Sequence, residues 1–160
     1  KFKCYKSISD QKIKDGFFDK SLQKSITDIF SQNELDEYSS DLVLSNATIE
    51  HVGSYNNQIK MVENIIKLSK KFFIIATPNR YHPIEFHSKL PFLHWFPKKI
   101  HRFILSIIGE KILSDEKNLN LLSEKEILSI MNQFSNIEYQ IKDIKLLFFK
   151  SNFIIIGKKL

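Results

Sequence analysis

Two apolar runs of strand length, Leu42-Val43-Leu44 and Phe72-Phe73-Ile74-Ile75-Ala76, flank a helical pattern, and that order leaves few folds open. In the first run the apolar residues are consecutive, not alternating, which predicts a central strand of a parallel sheet covered on both faces. Between Asn56 and Ser69, Ile59, Val62 and Ile66 mark one helix face and Met61, Ile65 and Leu68 a second, so this helix is broadly buried. Strand, helix and strand form a βαβ unit whose strands run parallel, and the fold class is α/β. Ligands of open α/β sheets bind beyond the carboxyl ends of the strands. Ser45, Asn46, Glu50 and His51 follow the first strand, and Thr77, Asn79 and Arg80 follow the second, so both groups face one crevice. Glu50 and His51 suit bracing of the next helix equally well, and both readings stand at this point.

The remaining elements fit around that unit. Residues 2–9 read as a short strand with Asp10 just past it, residues 11–24 as a loop, and Ser25 to Ile29 as a second short strand ending in Thr27-Asp28-Ile29. Residues 98–108 carry Ile100, Phe103, Ile104, Ile107 and Ile108 at the spacing of one helix face, with Lys99, Arg102 and Ser106 opposite. A polar linker from Ser114 to Asn120 precedes a helix opened by a Ser123/Glu126 capping box and closed near Ser135-Asn136. Two strands, 138–148 and 152–157, then lie close enough in sequence to form an antiparallel hairpin.

At 160 residues, with 42% hydrophobic and 26% charged residues, the chain suits one soluble globular domain with one core. It has no apolar run of membrane-spanning length and no signal-peptide pattern. The single Cys4 suits a reducing cytoplasm. Of the net charge of +6, +4 falls between Arg80 and Lys111, where six basic residues meet two acidic ones. Such a patch favours an anionic partner, although a solvated face has the same composition. Nucleic acid is disfavoured, because the basic patch is single and no Asn-Pro-Pro-Tyr type motif is present. Together with Phe92, Trp95 and Phe96, the 98–108 helix also has the pattern of an interfacial membrane element, which a helix packed on its own domain shares.

The most distinctive stretch is Thr-Pro-Asn-Arg-Tyr-His-Pro-Ile-Glu-Phe-His at 77–87, followed by Leu-Pro-Phe-Leu-His-Trp-Phe-Pro at 90–97. Its prolines and its aromatic residues Tyr81, Phe86, Phe92, Trp95 and Phe96 predict a stiff irregular loop. Four of the five histidines, His82, His87, His94 and His101, fall in or beside it, with Glu85 between the first two. Pro83 forbids the regular helix that would bring His82, Glu85 and His87 to one ion. The expectation is therefore no metal, with these groups in substrate, lid or loop-bracing roles.

These segments carry a family resemblance. The stretch Asp-Leu-Val-Leu-Ser-Asn-Ala-Thr-Ile-Glu-His-Val at 41–52 resembles the fourth strand and following turn of class I S-adenosylmethionine (SAM) dependent methyltransferases. The Thr-Pro-Asn-Arg, Pro-Ile-Glu and Leu-Pro-Phe-Leu-His-Trp-Phe-Pro runs are similar to an insertion after the fifth strand in one branch, type 11-like. The resemblance implies a Rossmann-like, mostly parallel sheet with an antiparallel carboxyl-terminal hairpin, in a single partial domain over 1–160 with a substrate or lid insertion at about 77–121. It implies SAM as cofactor, with Asp10 at the ribose, Asp28 and Ile29 at the adenine, and Ser45 and Asn46 nearby. Ser7 is an alternative to Asp10. Glu50 and His51 would be catalytic, and Asn79, Arg80, Tyr81, His82, Glu85 and His87 would hold the acceptor. Gly16, Gly53, Gly109 and Gly157 form no glycine-rich turn after an apolar strand, so the expectation is a domain truncated at its amino terminus that binds SAM poorly alone.

The activity so implied is methyl transfer to a small-molecule acceptor, anionic or lipid-linked, in a cytoplasmic protein with peripheral membrane contact as an option. The alternative is a non-catalytic binding or scaffold module that uses the basic aromatic segment to hold a membrane surface or an anionic partner. Acceptor identity and oligomeric state have no sequence signal.

Overall fold

A computed structural model describes residues 4–12, 16–85 and 87–160. Phe2 and Lys3 of the first expected strand, and Phe86 of the aromatic loop, lie outside the described residues. Two short parallel strands, β1 (Lys6–Ser9) and β2 (Lys20–Gln23), form a sheet of their own. The second strand thus lies within the stretch read as loop, and residues 25–28 form a turn held by Asp28 N–H donating to the Ser25 carbonyl. The serines and threonine there satisfy each other locally, with Ser25 and Thr27 hydroxyls 2.8 Å apart, which competes with strand pairing.

Helix α1 (Gln32–Tyr38) follows, opened by a capping box between Ser31 and Glu34 that the sequence reading passed over. Strand β3 (Ser40–Asn46), helix α2 (Tyr55–Leu68) and strand β4 (Ser69–Pro78) realise the expected βαβ unit, with β3 and β4 parallel. Next come α3 (Lys98–Ile107), the single turn α4 (Lys111–Ser114) and α5 (Glu124–Met131). Ser123 and Glu126 form the expected capping box of α5, but the helix ends at Met131 with Asn132 as its cap, short of Ser135. Strands β5 (Ile137–Leu146) and β6 (Phe149–Lys159) close the chain as an antiparallel hairpin.

The main sheet has the order β3-β4-β6-β5, and β6 runs antiparallel to β4. Among the described residues β3 is therefore an edge strand, not a central one, and Leu44 is 66% exposed. A run of apolar residues does not distinguish a strand covered on both sides from one whose second neighbour is not among those described. The core lies on one side of the sheet, where Met61, Val62 and Ile65 of α2 and Ile127, Ile130 and Met131 of α5 meet Phe73, Ile75, Phe153 and Ile155. Gly157, paired with Phe73 across the β4–β6 ladder, leaves room for the Phe73 ring.

The α3 helix reverses the usual arrangement. Its buried residues are His101 and Leu105, while Ile100, Phe103 and Ile107 are exposed. The apolar stripe read from the sequence thus faces outward. No helix among the described residues is long and apolar enough to cross a membrane.

Candidate functional site

Because β3 and β4 are parallel, the segments after their carboxyl ends meet. After β3 the chain turns at Ala47, which sits in the left-handed region at φ 49° and donates its N–H to the Ala76 carbonyl. A single 3₁₀ turn, Ile49–His51, follows and is locked from three directions. Asn120 N–H donates to the Glu50 carbonyl, and the buried Gln58 side chain on α2 donates to both the Ile49 and the Asn120 carbonyls. Asn120 Nδ2 in turn donates to the Gly53 carbonyl at 2.7 Å. Segment 118–120, read from the sequence as linker, is thereby a wall of the site.

Four of the residues singled out in the sequence converge here. Glu50 is fully buried, and its Oε2 accepts from the Thr77 hydroxyl at 3.0 Å. Its Oε1 is buried with no hydrogen-bond partner among the described residues. His51 Nδ1 lies 2.6 Å from the Asn118 carbonyl, and its Nε2 lies 3.9 Å from Glu50 Oε1. From the other side of the crevice, His87 Nε2 approaches His51 Nε2 to 3.2 Å, with the two rings nearly perpendicular at 77°. His87 Nδ1 is 2.6 Å from the Glu85 carboxylate, whose oxygens also accept the backbone N–H groups of His87 and Ser88.

Charge at this site is set by those contacts. Burial opposes ionisation of Glu85, but the hydrogen bonds from the His87 ring and from Ser88 outweigh it and hold the carboxyl at about 2. The same pairing raises the His87 pKa above its ordinary value against the effect of burial. Deeper in the loop, burial lowers His94, and burial with the neighbouring His94 lowers His101 to about 4.

The other acceptor-side candidates are spent on structure. Asn79 Nδ2 donates to the Lys150 carbonyl, and its Oδ1 accepts from Tyr81 N–H. The Arg80 guanidinium donates to the carbonyls of His94 and Phe96 and lies 5.5 Å from the exposed Tyr81 ring. His82 is buried, with Nδ1 beside the Ile84 carbonyl. On the cofactor side, Asp10 follows β1 in an exposed position, and its carbonyl accepts from Gln23. The backbone carbonyls of Ile26 and Asp28 both accept from Asn64 Nδ2 on α2, which fixes the Asp28 turn to the core. Ile29 is 91% exposed. Ser45 Oγ is buried with no hydrogen-bond partner among the described residues, and Asn46 ends β3 exposed.

Sequence reasoning missed Asn118, Asn120 and Gln58. Gln58 carried a signal, an amide between the apolar positions Tyr55 and Met61 on a buried helix; Asn118 and Asn120 carried none.

No protein-family model and no curated protein matches the sequence. Solved structures do match the fold. Magnesium protoporphyrin IX methyltransferase from Synechocystis PCC 6803, with bound S-adenosylhomocysteine (SAH), aligns with a TM-score of 0.50 at 11% identity over 88% of this chain and 51% of its own. An O-methyltransferase family protein from Burkholderia thailandensis gives 0.52 at 11% identity, over 87% of this chain and 35% of that one. A SAM-dependent methyltransferase from Methanosarcina mazei gives 0.52 at 13% identity, over 92% and 73%. The chain has the class I methyltransferase fold, and spans about half the length of the Synechocystis enzyme.

Proposed function

We propose that this chain is the acceptor-binding and adenosine-binding part of a SAM-dependent methyltransferase acting on a small molecule. One observation carries the reading: Glu50, His51, Glu85 and His87, drawn from the segments that follow two parallel strands, meet in one cluster. The fold of the solved methyltransferases supports it. The residues present fit the adenosine end of the cofactor. Asp28 offers a carboxylate beside the bare apolar side chain of Ile29, and Ser45 offers an unpartnered hydroxyl. When bound, SAM supplies an electrophilic methyl group on a sulfonium.

The chain's own residues would position the acceptor and take its proton. His51 donates from Nδ1 to a carbonyl, which leaves its Nε2 lone pair facing the crevice as a base. Glu85 orients the His87 ring in the same way a carboxylate orients a catalytic imidazole. Direct displacement at a methyl group gains most from alignment, so a rigid 3₁₀ turn locked by Gln58 and Asn120 suits the task. The test is transfer of labelled methyl from SAM to a panel of small acceptors by the gene's full-length product. Activity lost in Asp28→Ala through KM for SAM, and in His51→Ala through kcat, is the expected result; wild-type kinetics in both would refute the assignment.

A second reading is favoured by the outward face of α3. Trp95, Phe96, Ile100, Phe103, Ile107, Ile108 and Ile112 are all between 44% and 72% exposed, with Lys99 and Lys111 among them. Basic and aromatic side chains on such a face suit shallow insertion into an anionic bilayer, and hence a lipid-linked acceptor. Co-sedimentation with vesicles containing phosphatidylserine tests it: binding that salt and the Phe103→Ser/Ile107→Ser pair each reduce at least about tenfold is expected.

A further inference from the structure

The cluster contains more acceptor atoms than donors. The Asn118 carbonyl can only accept, so His51 Nδ1 carries a proton and its Nε2 a lone pair. The ionised Glu85 carboxylate likewise fixes the proton of His87 on Nδ1. When His87 is neutral, two imidazole lone pairs therefore face one another across 3.2 Å; when it is protonated, its Nε2–H donates to His51 Nε2. A third acceptor, the buried and unpartnered Glu50 Oε1, lies 3.9 Å from His51 Nε2, and all three ligand atoms fall within 4.8 Å of one another. Lone pairs converging in this way repel unless a proton or a metal ion stands between them, and the buried Glu50 Oε1 still lacks a donor when a proton does, which is costly.

We propose that Glu50 Oε1, His51 Nε2 and His87 Nε2 bind one divalent metal ion. The donor set of two imidazoles and a carboxylate is that of an open zinc site. Tetrahedral ligation at about 2.0–2.1 Å separates neighbouring nitrogens by about 3.3 Å, close to the observed approach of the two rings. The outer contacts have the form that metal-bound histidines use, with each Nδ1–H donated to an oxygen: Glu85 for His87, Asn118 for His51. Thr77 steadies the other oxygen of Glu50. The spacing of His82, Glu85 and His87 in the sequence argued against a metal. The fold instead joins His87 to His51, 36 residues away, and uses Glu85 as the outer partner.

His51 is 39% exposed at its side chain, so the ion keeps a face open to solvent. An oxygen acceptor meeting that face would have its hydroxyl pKa lowered, as water on zinc does. This last point alone rests on the methyltransferase reading. There His51 Nε2, held by the ion, acts as a ligand in place of a base: the hydroxyl proton leaves to water, the O–CH3 bond forms as the C–S bond of the sulfonium breaks, and sulfur keeps the electron pair.

The test needs neither cofactor nor acceptor. Metal-stripped protein is titrated with zinc chloride by calorimetry, and with cobalt chloride while the visible d–d absorption is followed. One equivalent bound, with a tetrahedral or five-coordinate cobalt spectrum, is expected. Glu85→Gln should weaken binding about 10–100-fold, and His51→Ala by more. His51 is exposed, so its variant tests ligation without threatening the fold; a thermal melt checks this. Absence of stoichiometric binding would overturn the proposal, as would binding that His51→Ala and His87→Ala leave unchanged. Metal binding without methyl transfer would sink only the methyltransferase reading.

Discussion

The Phe73 ring occupies the space that a side chain at position 157 would need: a Cβ on Gly157 would fall 2.0 Å from Phe73 Cζ. Both residues are buried in the middle of the sheet, so neither has room to retreat. Gly157→Ala should therefore cost about 1–3 kcal/mol of overpacking, read from the urea midpoint. Phe73→Ala alone should cost about 3–5 kcal/mol. Combined, the two should cost less than their sum, because the smaller residue at 73 makes room for the methyl group.

The β5–β6 hairpin turns through Leu147 and Phe148, both at positive φ, 47° and 71°. Two such residues in succession are what a type I′ turn requires, and Asn-Gly meets that requirement without a steric cost. Leu147 and Phe148 are also 74% and 98% exposed, so little packing would be lost. Replacing them with Asn-Gly should raise the melting temperature and stabilise the chain by about 1–3 kcal/mol.

Acid should weaken the fold in two successive windows that overlap near pH 4. His101, held by burial at about 4, favours the native state above its unfolded value of 6.5; that advantage fades as pH falls from 6.5 to about 4. The total is about 3 kcal/mol, and His101→Leu should erase this limb of a stability–pH curve. Glu85, held at about 2, contributes above 4.5 and loses its contribution as pH falls from 4.5 to about 2, again about 3 kcal/mol in all. Glu85→Gln should flatten that lower limb. His87, with its raised pKa, has the opposite sign. Its contribution is complete below 6.5 and disappears as pH climbs through the raised value. Urea midpoints measured from pH 3 to 9 would separate the three.

Ala47 sits in a left-handed conformation that a Cβ penalises by about 1 kcal/mol. Ala47→Gly should recover part of that, offset by added freedom of the unfolded chain. A stability change within about 0.5 kcal/mol of zero, measured by denaturation, is the expected outcome.

The parts of this fold that were legible in the sequence are those where period and burial coincide. Helix α2, strand β4, the capping box at Ser123 and the final hairpin all combine a clear period with an apolar face in the core. Strand β2 was misplaced because Lys20 to Gln23 has almost no apolar content and pairs only with β1. The face of α3 was legible as a pattern, but the pattern does not say which side is wet. Glu50, His51, Glu85 and His87 were singled out individually as candidates. Their convergence was not, because it depends on a contact across 36 residues and on carbonyls of a segment with no motif of its own.

The small sheet of β1 and β2 is tied to the rest of the chain largely through lysines. Lys6 Nζ donates to the carbonyls of Glu37 and Ser39, Lys20 pairs with Glu37, and Lys24 pairs with Glu34. Such contacts weaken with ionic strength, whereas the apolar interior beneath α2 and α5 does not. In deuterium exchange the amides of residues 6–9 and 20–23 should therefore form a separate, faster population, and added salt should widen its gap from β4 and β6. Asp10, expected at the cofactor ribose, directly follows β1 in this sheet, whereas the Asp28 turn is held to the core by Asn64. Adenosine binding would then register as slowed exchange beside Asp10 before any change is seen in the interior.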